Sequence, residues 1–269
     1  MMIAQDVMIV SKGIMIVGYG TRNGNLEEVL QKQSARLRCR GWENVAVAYF
    51  RVSSPTIPEA VRELVSKGVE EIVAIPYYIA EGTLTKELIP EKLGIKDDCG
   101  YADVDGKKVL IHVAPAFGYS FDLTGIICDR IADAGGDRDC GVLVLGHGTR
   151  HPSLSNMFVV KKNAERLHAL GFKHATYAFN EFCEPTIKDA LDRLEKEGVD
   201  RIVAIPLFIA MGLHLGEEIP EQLGIPAYSD GGEIAVNGRK IQLCYTRPME
   251  CDPRLTDNIE RKARHYLGD

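Results

Sequence analysis

The sequence contains no apolar run approaching the roughly 18 residues needed to span a bilayer, so no membrane segment is expected. It also lacks any C-x-x-C pair. Its cysteines, at positions 39, 99, 128, 140, 183, 244 and 251, are odd in number. That excludes a disulfide framework and a structural zinc site of the usual spacing, and points to reduced thiols in a cytoplasmic protein. Most of these thiols are expected as small core residues, with Cys183 set apart by its place beside Glu181. Positive charge is not in excess: 32 Lys and Arg against 38 Asp and Glu give a net charge of −6. A nucleic-acid partner, which calls for a basic face, is therefore not expected. Local basic patches for a small anion remain compatible with that balance. The opening stretch MMIAQDVMIVSKGIMIV is interrupted by Asp6 and Lys12 and lacks a small-residue cleavage site, so it reads as strand.

What the sequence does have is one unit written twice. GVEEIVAIPYYIAEGTLTKELIPEKLGI (68–95) aligns without a gap on GVDRIVAIPLFIAMGLHLGEEIPEQLGI (198–225), with more than half of the positions identical. The register extends outward: Gly18 matches Gly146, Pro55 matches Pro185, and DGKKVLI from Asp105 matches NGRKIQL from Asn237. A chain of 269 residues accommodates two domains of about 130 each. The expected division is 1–138 and 139–269, with the boundary in GDRDCG.

Within the second unit, 141–146, 175–182, 201–208 and 240–246 read as strands, being rich in Val, Ile, Leu, Phe and Tyr. Between them, 153–170 and 185–197 carry helical spacing, with Ser153 after Pro152 as a first cap and Gly171 and Gly198 after the two ends. The alternation predicts parallel βα units, and strands such as RIVAIPLFIA are apolar on both faces, as in a sheet covered on both sides. The expected fold is α/β: two similar domains, each a roughly four-stranded parallel sheet flanked by helices, facing each other across a cleft.

Ligands of open parallel sheets bind at the carboxyl ends of the strands. There the second unit offers His147 in Gly146-His147-Gly148, Glu181 before Pro185, and His214 after Gly212. The first unit has Tyr19, Arg51 and Leu84 at the matching positions. The surrounding phrase is retained while all three polar groups are lost, which predicts chemistry in the second unit and scaffold in the first. Two imidazoles and a carboxylate suit a first-row divalent cation such as Co²⁺, Ni²⁺, Fe²⁺ or Zn²⁺, with open positions for something else to be acted on. The same groups can accept protons. No H-E-x-x-H or comparable local motif supports the metal reading, so its weight rests on the shared rim.

GHGTRHPSLSN, AFNEFCEPTI and IPLFIAMGLHLGEEIPEQLGI resemble the class II tetrapyrrole chelatases, specifically the sirohydrochlorin cobaltochelatase family in its long, internally duplicated form. The resemblance covers both halves. It implies two α/β domains and ATP-independent insertion of Co²⁺, or Ni²⁺ or Fe²⁺, into sirohydrochlorin or a close relative, in cobalamin, siroheme or related biosynthesis. By residue matching, His147 is metal ligand and proton acceptor, His214 the second ligand, and Glu181 the assisting carboxylate near substrate. The loop Ile209, Ala210, Met211, Gly212 and Leu213 lies against the macrocycle. The metal is then a co-substrate with no permanently bound cofactor, the partner an anionic tetrapyrrole, and a monomer carries the whole site. Many fused members carry the histidines in their first half, which this chain does not. Arg51, in the stripped half, is expected to hold a substrate carboxylate, with Arg22 and Lys86 nearby.

The other histidines read as bystanders: His151 in an exposed turn, His112 as a satisfied histidine on a strand, and His168, His174 and His265 as solvated positions on helices or loops. Gly146–Thr149 after a strand also resembles a phosphate cradle, but G-x-G-x-x-G and G-K-[ST] are absent. Two other functions stay open on these residues: a non-catalytic metal or tetrapyrrole delivery protein, and a metal-dependent hydrolase.

Overall fold

The computed structural model describes residues 10–22, 24–118, 120–150 and 156–268. Ser153, Pro152 and His151 lie outside them. The first half builds β1 (Lys12–Gly18), α1 (Leu26–Cys39), β2 (Val45–Tyr49), α2 (Ile57–Ser66), β3 (Glu71–Pro76), α3 (Ile89–Leu93), β4 (Cys99–Val104), β5 (Lys107–Val113) and α4 (Phe121–Asp133). The second half repeats the string as β6 (Gly141–Gly146), α5 (Asn156–Ala169), β7 (His174–Phe179), α6 (Ile187–Lys196), β8 (Arg201–Pro206), α7 (Ile219–Leu223), β9 (Gly231–Val236), β10 (Arg239–Tyr245) and α8 (Pro253–Leu267). A five-residue π-helical turn precedes α3 at Leu84–Leu88 and α7 at His214–Glu218.

Each half forms a five-stranded sheet, ordered β2-β1-β3-β5-β4 and β7-β6-β8-β10-β9. Four strands in each are parallel, as expected, and the fifth is an antiparallel edge strand. That strand returns through Asp105-Gly106 in one half and Asn237-Gly238 in the other, all four residues at positive φ. Asp-Gly and Asn-Gly are the residue pairs that close a two-residue hairpin without strain. The inner strands are buried on both faces, which matches their unbroken apolar runs. α6 starts on a reciprocal cap, Thr186 N donating to Asp189 Oδ2 at 3.0 Å and Asp189 N to Thr186 Oγ1 at 3.2 Å.

The outer face of the first sheet packs on α2 and α3 around Ile57, Leu64 and Ile89, and that of the second on α6 and α7 around Ile187, Leu194 and Ile219. The inner faces share a single core that runs from Ile14 and Ile75 to Val142 and Ile205. Here the last helix of each half crosses over. α4 packs on α5 and β8 of the second half, and α8 packs on α1 and β3 of the first. Buried hydrogen bonds seal both exchanges: Thr124 Oγ1 donates to Asn163 Oδ1 at 2.8 Å, and Thr256 Oγ1 donates to Gln33 Oε1. Gln33 Nε2 then donates to Tyr77 Oη at 2.7 Å.

A stability consequence follows from the crossover. Residues 139–269 alone lack the helix that covers Val203, Ile205 and Val159, and an uncovered apolar face of that kind drives association. Expressed by themselves they are expected to dimerise or aggregate, and to form a one-to-one complex with residues 1–138. Light scattering checks this; a stable, well-dispersed monomer of 139–269 contradicts it.

Among the described residues, no helix is long and apolar enough to cross a membrane. All seven cysteines are free, but their expected burial is corrected: only Cys140 is buried, and Cys39 and Cys99 are exposed. These two stand at the end of α1 and the start of the edge strand β4, where no covering layer reaches. His174 opens β7 rather than lying on a helix or loop, and pairs with Glu197 at 2.8 Å.

Candidate metal centre

In the second sheet the chain passes from β6 to β7 on one side and returns to β8 on the other. The gap between β6 and β8 at their carboxyl ends is thus the topological switch point, where the outgoing loops diverge and leave room for a ligand. His147 directly follows β6, and His214 opens the π-helical turn after β8. The β6–β7 ladder continues past the strands: Asn180 N donates to Gly146 O at 2.9 Å and Glu181 N to His147 O at 3.0 Å. That pairing places Glu181 beside His147.

One ligand atom each from His147, Glu181 and His214 lies within 4.8 Å of the others. His147 Nε2 stands 3.4 Å from Glu181 Oε1. Its Nδ1 lies 3.2 Å from Gly148 O, a carbonyl that can only accept; in the neutral ring with Nδ1 protonated, Nε2 carries the lone pair. The two imidazoles meet edge to face, with centroids 4.9 Å apart and planes at 89°. All three side chains are partly exposed, so an ion and a second ligand can reach them. The structure thus brings the three sequence-predicted residues together.

The two histidines line a cleft of about 510 Å³ whose walls come from both halves, Tyr19, Thr21 and Tyr78 on one side, His147, Phe208 and His214 on the other, while Glu181 reaches it only through His147. Ile209, Ala210, Met211 and Gly212 line it, and Leu213 is exposed beside it. The loop is fastened across the cleft, because Met211 N donates to Asn25 Oδ1 at 2.9 Å and Asn25 Nδ2 to Glu250 Oε1 at 2.7 Å. Arg51 occupies the position matching Glu181, with its backbone N donating to Tyr19 O at 2.8 Å. Its guanidinium lies 5.6 Å from the centre of the Phe50 ring. Lys86 pairs with Glu81 at 3.2 Å, and Arg22 is exposed.

A sequence model described as CbiX matches residues 13–134 and again residues 141–266. The chain belongs to the CbiX family. A sirohydrochlorin cobaltochelatase of Methanopyrus kandleri is 31% identical over 141 residues, covering 48% of this chain and 97% of that one. Half-length relatives therefore correspond to one unit. A probable sirohydrochlorin cobaltochelatase of Halobacterium salinarum is 26% identical over 274 residues, 94% of this chain and 90% of its own. SirB of Bacillus subtilis, solved with Fe³⁺, superposes with a TM-score of 0.72 at 18% identity, covering 95% of both chains. Its counterpart from subspecies spizizenii, in complex with cobalt, gives 0.71 at 14% identity and the same coverage. These two structures share the duplicated fold.

Three further residues beside the cluster escape a reading of strand ends. Glu218 Oε2 lies 2.6 Å from His214 Nδ1. Asn180 Nδ2 donates to the same oxygen at 3.3 Å, and Gln222 Nε2 donates to Asn180 Oδ1 at 2.8 Å. The Glu218 carboxyl is held below its ordinary pKa, first by the hydrogen bond to His214, against the opposing effect of burial, with Asn180 and the charges of His214 and His147 adding to it. The signal was present in the sequence as His214-x-x-x-Glu218, an i, i+4 pair. Cys183, singled out earlier, has a local role: its Sγ accepts from Thr149 N at 3.2 Å and donates to Thr149 O at 3.1 Å. His112 is satisfied by Glu71 at 3.0 Å, as a strand histidine should be.

Proposed function

We propose that this protein inserts a divalent metal into sirohydrochlorin or a close tetrapyrrole relative, with Co²⁺ as the first candidate and Ni²⁺ or Fe²⁺ as alternatives, without ATP. The observation that carries the reading is the approach of His147, Glu181 and His214 within 4.8 Å of one another, with both histidines lining a two-walled cleft. Insertion strips water from the ion, presents it to one face of the ring and removes two pyrrole protons. Two imidazoles, each offering Nε2, hold a borderline cation. An incomplete protein cage lets the ion go, because an open position accepts the substrate nitrogens as the hydration shell leaves. Glu181, 3.4 Å from His147 Nε2, provides a carboxylate that accepts a proton at the same spot. The sulfur, aromatic and aliphatic surface of Met211, Phe208 and Ile209 suits the flat apolar body of a macrocycle. Both walls come from one chain, which supports activity as a monomer.

The test is an ultraviolet-visible assay of sirohydrochlorin with Co²⁺, Ni²⁺ and Fe²⁺, with and without protein. Protein-dependent, multiple-turnover formation of the metallated spectrum is expected. A stoichiometric spectral change that stops after one equivalent indicates a delivery protein instead.

The first half supplies the opposite rim. Arg51 does not line the cleft itself but is exposed next to its wall residue Tyr19, and a guanidinium binds a carboxylate through two parallel hydrogen bonds. Arg51→Ala is expected to raise KM for the tetrapyrrole several-fold with kcat and metal dependence unchanged, the pattern of lost uniform binding. Steady-state kinetics decides it: a lower kcat at constant KM places Arg51 in the chemical step, and no change at all makes it a solvated remnant.

A further inference from the structure

Both halves build the same π-helical turn, at 84–88 and 214–218, followed by the same Ile-Pro-Glu start of α3 and α7 and the same left-handed Gly at its end. What differs is the polar chain beneath the turn. In the second half it runs from Gln222 through Asn180 to Glu218 and ends on His214 Nδ1. In the first half the matching residues are Lys92, Phe50, Leu88 and Leu84. There Lys92 instead lies over the Phe50 ring at 5.2 Å. The turn forms without any member of the polar chain, so the fold does not require it. The chain persists only where a histidine faces the cleft.

Its chemistry is specific. An ionised carboxylate accepts and cannot donate, so the 2.6 Å contact fixes the proton on His214 Nδ1 and leaves the lone pair on Nε2. Asn180 holds that carboxylate through its amide NH₂, and Gln222 fixes the Asn180 amide by donating to its oxygen. Resting on the proposed role of His214 as a metal ligand, we infer that Glu218, seated by Asn180 and Gln222, is a positioning residue that presents His214 Nε2 to the metal. Partners of this kind set the tautomer and the direction of a metal-bound imidazole, and losing one weakens binding about 10- to 100-fold.

The experiment uses the full chain and Co²⁺ alone as probe, with no tetrapyrrole, titrated by its visible absorption. Side-chain ¹⁵N NMR of the metal-free protein reports the His214 tautomer. Glu218→Leu introduces the residue that the first half already carries at this position, so the turn is expected to form and thermal unfolding to stay cooperative. Its Co²⁺ affinity should fall about 10- to 100-fold, and the Nδ1–H signature of His214 should be lost. Glu218→Gln retains an oxygen that accepts from Nδ1–H, and should recover affinity to within a few-fold of the parent together with the tautomer. Parent affinity and tautomer in Glu218→Leu overturn the inference, as does a Glu218→Gln variant no better than Glu218→Leu. His214→Ala separates the two levels: if it loses Co²⁺ while Glu218→Leu does not, only the positioning role fails. If His214→Ala binds Co²⁺ like the parent, the ligand role fails and the positioning role with it.

Discussion

His147→Ala is expected to cut the rate of Co²⁺ insertion by at least about tenfold and by as much as the 10²–10⁴-fold range of lost proton-transfer groups, because one residue would be removed from two tasks. Its Nε2 lies within reach of both the Glu181 carboxylate, at 3.4 Å, and the His214 ring, so on the proposed assignment the ion loses a ligand and the carboxylate loses its neighbour. The fold should be spared. His147 stands on a rim loop after β6, its side chain 37% exposed, and the backbone bond from Glu181 N to His147 O does not depend on the imidazole. His214→Ala should behave alike, since its ring is also half-exposed and its turn forms with Leu84 in the first half. The measurement is the insertion assay beside circular dichroism of each variant. A folded His147→Ala or His214→Ala protein with near-parent rates defeats the metal-centre assignment, whatever happens to Arg51.

The duplicated sequence made this candidate site readable from residues scattered over 68 positions, because comparing two copies separates what both scaffolds keep from what only one carries. The parallel strands were legible for a physical reason: they are buried on both faces, and Ile-Val-Ala-Ile runs have few other uses. The edge strands β4 and β9 were not. With one face in solvent they carry alternating, charged or glycine-rich patterns, and only the Asp105-Gly106 and Asn237-Gly238 pairs mark them. The crossover of α4 and α8 was equally hidden. An amphipathic helix states that it needs an apolar surface, and nothing in Ile126, Ile127 or Ile259 says which of two similar sheets provides it. Glu218 was hidden for another reason: the exchange with Leu88 lies one turn beyond the strand ends, inside the helical turn.

Gly148→Ala should be the most damaging single-methyl change at the site. Gly148 has φ +94°, and a Cβ built there would stand 1.7 Å from the Glu181 carbonyl oxygen. Left-handed backbone alone costs an alanine roughly 1–2 kcal/mol, and the overlap adds to it because the carbonyl has no freedom to turn away. Glu181 N is tied to His147 O at 3.0 Å, and Glu181 O accepts from Cys183 N at 2.9 Å. Relief requires the ends of β6 and β7 to part, which carries Glu181 away from His147. Insertion should fall by more than about tenfold, in the same range as loss of the histidine itself, and the melting temperature should drop. Gly20→Ala meets the same obstacle in the other half, with φ +93° and Arg51 O at 1.9 Å, yet leaves the triad untouched. It should lose comparable stability while keeping Co²⁺ affinity. Gly198→Ala is the control, with φ +84° and nothing within 4 Å of the added Cβ. It should lose only about 1–2 kcal/mol of stability and no activity. Thermal melts, Co²⁺ titration and the insertion assay on the three variants give the answer. A Gly148→Ala protein that inserts metal at the parent rate shows that the strand ends can part without separating the acid from the histidine.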